Sequence, residues 1–198
     1  MPKTAVRIGP EDNGQAMSLE DFDHAVGAPG YNYELGRGVI VVSEIPNPGL
    51  HFRATFATQR QLWAYVLKGV EKIYVVSTGS DCKVLLERFE SERHPDVAVY
   101  KTPPPSEDSS AWSTWIPELV IEVVSQESES RDYDEKRDEY LSFGVHEYWI
   151  IDPGKRQMLA LRRWRGTWDE HIVRPPKKYK TPLLPGLSFD CGAVFDAK

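Results

Sequence analysis

The chain has 198 residues, 40% of them hydrophobic and 27% charged, with a net charge of −6. That length is ample for one hydrophobic core, and the composition is that of a globular domain, not of a disordered or low-complexity chain. The acidic balance argues against a general nucleic-acid coat protein, and no apolar run approaches the roughly 20 residues that cross a bilayer.

The opening, MPKTAVRIGPEDNGQA, lacks the apolar stretch of a signal peptide, so the expected location is the cytoplasm with no membrane attachment. Residues 1 to 16 are unpatterned and read as a flexible arm, with 17 to 198 as a single domain. Ser18-Leu19-Glu20-Asp21-Phe22 reads as the capped start of a short helix that ends before Gly27. Tyr31 to Glu44 reads as two strands joined over Gly36-Arg37-Gly38, and Pro46-Asn47-Pro48-Gly49 breaks the chain.

His51 to Lys68 is the strongest helical stretch in the first half, with Phe52, Phe56, Gln59, Trp63 and Val66-Leu67 at helical spacing and Gly69 at its end. Short strands follow at Ile73 to Ser77 and Lys83 to Phe89, separated by a Gly79-Ser80-Asp81 turn. Cys82 and Cys191 are distant and outside any CxxC spacing, which favours buried free thiols over zinc or a disulfide.

Pro95 to Tyr100 is a strand that opens with Pro-Asp, and Lys101 to Trp112 is a proline-rich loop, the stretch most suited to disorder. Pro117 to Ser125 is a further strand, followed by a helix from about Asp132 to Phe143. Asp132 and Glu135 resemble a capping box there, and Gly144 suits the C-cap. Glu147 to Asp152 is a strand, Met158 to Trp164 and Trp168 to Val173 form a hairpin over Gly166, and Thr181 to Phe195 is a punctuated tail with apolar anchors. The expected fold is therefore mixed α/β: a sheet flanked by helices, with an extra N-terminal hairpin and a C-terminal β-hairpin.

Glu122 demands explanation, because a carboxylate inside the apolar run Leu119 to Val124 is costly unless paired or bound to a cation. Asp96 opens the neighbouring apolar strand. If the two strands pair, both carboxylates converge at one end of the sheet, which suits Mg²⁺ or Mn²⁺. Tyr133, Lys136, Tyr140 and Phe143 share one helical stripe, so Lys136 points toward the sheet. Either it snorkels past the rings to solvent, or it pairs with the strand carboxylate. Acidic residues predominate from 81 to 139 and basic ones from 153 to 180, an arrangement suited to a polyanion held over metal ions or simply to two solvated surfaces.

These residues resemble the Uma-two family of bacterial restriction-endonuclease-like proteins, within the PD-(D/E)XK nuclease superfamily. The likeness rests on Pro95-Asp96, on Pro117-Glu118-Leu119-Val120-Ile121-Glu122-Val123-Val124-Ser125, on the helix with Lys136 and Tyr140, and on Gly144 to Pro153. Looser echoes are Tyr33-Glu34-Leu35 with Gly38, His51, and Leu184-Pro185-Gly186-Leu187. The resemblance spans roughly residues 18 to 196 and implies a restriction-endonuclease-like core. It implies that Asp96 and Glu122 are the acidic pair, and that Lys136 replaces the motif lysine, whose own position holds Val124. The family's hairpin has a second acid after its glycine, where this chain has Val39; Glu34, Glu44 and His51 compete to complete the metal site, with Glu34 favoured because its Tyr-Glu-Leu setting is kept.

The implied function is Mg²⁺- or Mn²⁺-dependent hydrolysis of DNA phosphodiester bonds. Asp96 and Glu122 would hold the metal, Lys136 would orient or activate water, and the 153–180 segment, with Trp164 and Trp168, would grip the polymer. The alternatives are a catalytically silent protein that binds nucleic acid or a partner on the same fold, and a homodimer formed through aromatic residues near 148 to 168.

Overall fold

Residues 6–45, 47–69 and 73–198 are described by this computed structural model. The chain begins with β1 (Arg7–Ile8), then α1 (Leu19–Asp23) and β2 (Val26–Gly27), with β1 and β2 paired in parallel. Ser18 caps α1 as expected, its Oγ accepting from the Asp21 amide at 3.1 Å. Residues 6 to 16 are not a free arm: Ile8 is buried, and the Ile40 amide donates to the Gln15 carbonyl at 2.8 Å. A strand of two residues has no period to read, which is why this pairing is invisible in the sequence. Residues 1 to 5 of the expected arm lie outside the described residues.

The expected hairpin is β3 (Tyr31–Gly36) and β4 (Val39–Glu44), turned over Arg37 and Gly38, both at positive φ. Pro46 of the breaker after it lies outside the described residues. The long helix is α2 (Leu50–Val66), but its buried side is Ala54, Ala57, Thr58, Leu62 and Tyr65. Phe52, Phe56 and Trp63, whose spacing announces the helix, are on its exposed side.

β5 (Val75–Ser77) and β6 (Val84–Leu86) are shorter than expected, and a 3-10 turn, Glu87–Phe89, replaces the end of the second. The sequence does not announce β7 (Ser91–Arg93), three polar residues that are all buried. Then come β8 (Val97–Tyr100) and β9 (Leu119–Val123). The proline-rich loop between them is irregular but anchored, with Trp115 stacked on Tyr100 at 3.8 Å between ring centroids. A π-helical turn, Arg131–Glu135, leads into α3 (Lys136–Phe143), closed at Gly144 with φ 108°. The chain continues with β10 (Glu147–Asp152), β11 (Gln157–Trp164), β12 (Thr167–Val173), β13 (Lys178–Tyr179), β14 (Phe189–Asp190) and α4 (Cys191–Phe195).

The central sheet runs β12-β11-β10-β9-β8-β5, and a second sheet runs β4-β3-β7-β6. β9 and β10 are parallel, joined through α3, and the other pairings in the central sheet are antiparallel, so it is mixed. On one face, α2 and the C-terminal tail cover Val97, Val99, Ile121 and Trp149. On the other, Val120, Tyr148 and Ile150 pack with Tyr140 of α3 and with Val84 and Leu86 of the second sheet. Tyr148 and Trp149 are wholly buried in the single chain, so they do not form the aromatic dimer face expected near 148 to 168. Cys82 and Cys191 are buried free thiols, and no helix among the described residues is long and apolar enough to cross a membrane.

Candidate active site

β8 and β9 are antiparallel neighbours with Val97 opposite Ile121, so Asp96, one residue before β8, falls opposite Glu122. Strand alternation sends Val97, Val99, Ile121 and Val123 into the core under α2. Asp96 and Glu122 therefore turn to the other face, toward α3. The Asp96 side chain is fixed by the neighbouring strand, its Oδ2 accepting from the Val123 amide at 2.7 Å, and lies 3.2 Å from His51 Nε2 at the head of α2.

Lys136 points inward and is 4% exposed, so it pairs with the strand and does not snorkel. Its Nζ is 3.0 Å from Glu122 Oε1, 3.1 Å from Asp132 Oδ1 and 3.6 Å from Glu34 Oε1. The Tyr140 hydroxyl donates to Glu122 Oε1 at 2.8 Å. One ammonium thus sits among three carboxylates from three different elements.

The electrostatics follow from burial and from that imbalance. Burial pushes the Glu122 carboxyl up to about 8, against the pull of Lys136, with Asp132, Asp96 and Glu34 adding repulsion. Burial alone would raise Glu34 as well, yet Lys136, Arg93 and the His94 amide bring it down to about 2. Burial works against the charge on Lys136, but its three carboxylates prevail, and its pKa lies above the usual lysine range. The pair therefore resolves as a permanently charged ammonium beside a carboxyl that can hold a proton near neutrality. His51 is also raised: burial opposes its charge, and the Asp96 hydrogen bond and charge outweigh it.

Arg93 supports this cluster from below. Wholly buried, it donates from Nε and Nη2 to the two oxygens of Glu139 at 2.8 and 3.0 Å. The guanidinium also reaches Glu135 at 3.2 Å and Glu34 at 3.5 Å, tying β3 and β7 to α3. A Cβ on Gly36 would lie 3.0 Å from both terminal nitrogens of Arg93, so the glycine provides room for the guanidinium.

The structure thus brings together Asp96, Glu122, Lys136, Glu34 and His51. Glu44 stands at the far end of the β3–β4 ladder, opposite Tyr31, and is exposed. Asp132 is not the helix cap: its carboxylate turns inward to Lys136 and accepts from Ser128 Oγ at 2.6 Å, while Glu135 goes to Arg93. The i, i+4 spacing of Asp132 and Lys136 is the sequence signal that identifies the pair. Arg93 left no comparable signal, because Glu92-Arg93-His94 reads as a polar joint.

The basic segment is split along the sheet: Lys155 and Arg174 stand by Asp152 and Gln157, at the end nearer Glu122, and its tip does not. Glu122 is in line with Ile150, Leu159 and Ile172 across the sheet, whereas the hairpin tip at Trp164 lies at the opposite end of β11. Several of its cations are paired, Arg162 with Asp169 and Lys178 with Asp190 among them. An open hollow of about 410 Å³, lined by Arg162, Trp164, Thr167, Trp168 and Asp169, belongs to that hairpin.

A family model described as "Uma2: Putative restriction endonuclease" matches residues 19–192. The chain is also similar in fold to a crystal structure described as a putative nuclease belonging to DUF820 from Anabaena variabilis ATCC 29413. The TM-score is 0.66 and the identity 16%, with 90% of this chain and 97% of that chain covered. No curated protein matches the chain.

Proposed function

The chain belongs to the Uma2 family, described as putative restriction endonucleases, and from that premise we propose that it hydrolyses DNA phosphodiester bonds with Mg²⁺ or Mn²⁺ held by Asp96 and Glu122. The observation that carries the reading is Lys136 Nζ at 3.0 Å from Glu122 Oε1, beside a strand register that sets Asp96 opposite Glu122. Two adjacent carboxylates are the hard oxygen donors such a cation takes. Among the described residues no group of three or more His, Cys, Asp or Glu is arranged as a cation cage. Mg²⁺ does not require one, since it keeps several waters and fills its shell with one or two carboxylates and substrate phosphates. When bound, the cation would polarise a phosphoryl oxygen and acidify the attacking water.

The chain's own groups divide the remaining work. Lys136, being permanently charged, is not a base. It orients water through its N–H donors and offsets negative charge that builds on the phosphoryl oxygens. Glu122, Asp132 and Glu34 keep that ammonium charged and in place. His51 stands at the rim with its Nε2 3.2 Å from Asp96 Oδ2, where it holds that carboxylate in place. The Asp96 and His51 side chains are each 22% exposed against 5% for Glu122 and Lys136, so substrate arrives from the His51–Asp96 side.

Plasmid and single-stranded DNA incubated with Mg²⁺ or Mn²⁺ test the proposal, with Lys136→Ala as control. Cleavage by the native protein and a loss of about 10²- to 10³-fold in the variant support it. Equal cleavage by both proteins, or none under any condition, contradicts it. A silent binder on the same fold is the competing reading, favoured by the net charge of −6 and by Val39 where the family's hairpin has a second acid. DNA affinity without metal binding or turnover would establish it.

A further inference from the structure

The outward face of α2 has no task in the site described above. Phe52, Phe56, Trp63 and Leu67 recur at intervals of four, seven and four, which puts them on one side of the helix. They are 52%, 52%, 43% and 85% exposed. The rings of Phe52 and Phe56 are parallel within 2°, and the Arg60 guanidinium lies 5.9 Å from the Phe56 centroid. Arg53, Arg60 and Lys68 are exposed, and the sequence from Leu50 to Lys68 contains no carboxylate, in a chain whose net charge is −6. The ridge begins at Phe52, directly after His51, whose ring touches Asp96 at the exposed side of the site.

We propose that this face of α2 binds a single strand of nucleic acid, its unpaired bases stacked on Phe52, Phe56 and Trp63 and its phosphates drawn to Arg53 and Arg60. The assignment names the substrate class of the proposed nuclease and rests on that reading. Exposed aromatic faces interleaved with cations suit unpaired bases, whereas bases within a duplex have their faces already covered. From Phe52 to Trp63 the helix advances about 16 Å, room for several nucleotides leading from the His51–Asp96 rim. A second copy of the chain is a poorer occupant. A two-fold contact would set this patch against itself and bring its cations together with no acid on the helix to meet them.

The test measures anisotropy of labelled oligothymidylate, oligouridylate and a duplex of equal length in chelator, where affinity is read without turnover. The single strands should bind more tightly than the duplex. Phe56→Ala/Trp63→Ala should weaken them about tenfold or more while leaving the melting temperature unchanged. Arg53→Gln/Arg60→Gln should flatten the salt dependence. Unchanged strand affinity in the aromatic variant overturns the proposal, and if that protein still cleaves with Mn²⁺, the hydrolytic reading survives alone. Aromatic-dependent strand binding without cleavage under any metal supports the binding face and defeats the hydrolytic reading. A sedimenting dimer that the aromatic variant dissociates, with no loss of strand affinity, makes the ridge a self-association face and overturns the proposal.

Discussion

Lys136 on α3 and Glu122 on β9 meet at 3.0 Å across a sequence separation of 14 residues, both nearly shut off from solvent. Such a pair is weak evidence for stability, because its attraction roughly offsets the cost of removing two charges from water. In the proposed mechanism its part is to position the ammonium beside the carboxylates. The consequences can be measured separately.

Breaking the pair from one side should be severe. Lys136→Met leaves Glu122, Asp132 and Glu34 without their shared cation, and about 3–5 kcal/mol of destabilisation is expected in urea unfolding above pH 8, where Glu122 is ionised. Adding Glu122→Gln should recover part of that loss. Strict additivity of the two substitutions would mean that the residues are not coupled.

The acids also set the pH profile. Glu122 has its folded pKa raised to about 8 from the usual carboxylate range, so between about 4.5 and 8 the native state binds more protons than the unfolded one. Stability from this group therefore falls as pH rises through that window. Glu34, lowered to about 2, contributes the opposite way: its stabilisation is present above about 4.5 and is lost as pH falls toward 2. Unfolding free energies across pH 4.5 to 8 should slope less in Glu122→Gln than in the native protein. An unchanged slope would contradict the assignment.

A cation that binds Glu122 must displace its proton. Titration calorimetry with Mn²⁺ in buffers of different ionisation enthalpy should therefore show proton release at pH 7, and affinity should rise as pH approaches 8. Asp96→Asn should lose the binding. Proton-neutral binding, or binding indifferent to Asp96, would place the metal elsewhere.

Arg93 makes a prediction that does not touch the reacting groups. Arg93→Lys keeps a charge but gives up the two-pronged contact with Glu139, leaving that wholly buried carboxylate poorly satisfied. A loss of about 2 kcal/mol in stability is expected, within the range for hydrogen bonds to charged groups. Cleavage should fall through kcat more than through KM, because Arg93 holds Glu34 and α3 in register. Unaltered kcat with lowered stability would make Arg93 purely structural.

Much of this was legible in the sequence because local rules and the final fold agree. The all-apolar strand around Glu122, the Arg37–Gly38 turn, the Ser18 cap and the inward stripe of Tyr133, Lys136 and Tyr140 are all signals of short range. Other features depend on tertiary partners. β7 was missed because Arg93 and Glu92 are buried only by virtue of Glu139, His94 and Lys83 around them. Asp132 reads as a cap because Glu135 follows it at capping-box spacing, although the same residue also stands i, i+4 from Lys136, which claims it. In α2 the large apolar residues mark the helix but not the core side, since Ala54 and Ala57 are among the residues packed inward. The expected DNA-gripping segment is divided for a similar reason, since a run of basic charge along the chain says nothing about which end of the sheet the hairpin tip will occupy.

The most direct test of the account is the anomalous scattering of a crystal soaked in Mn²⁺. One peak is expected between Asp96 and Glu122, about 2.1 Å from a carboxylate oxygen of each, with the Lys136 ammonium alongside. Saturating Mn²⁺ with no peak there, and Lys136 still closed on Glu122, would contradict it.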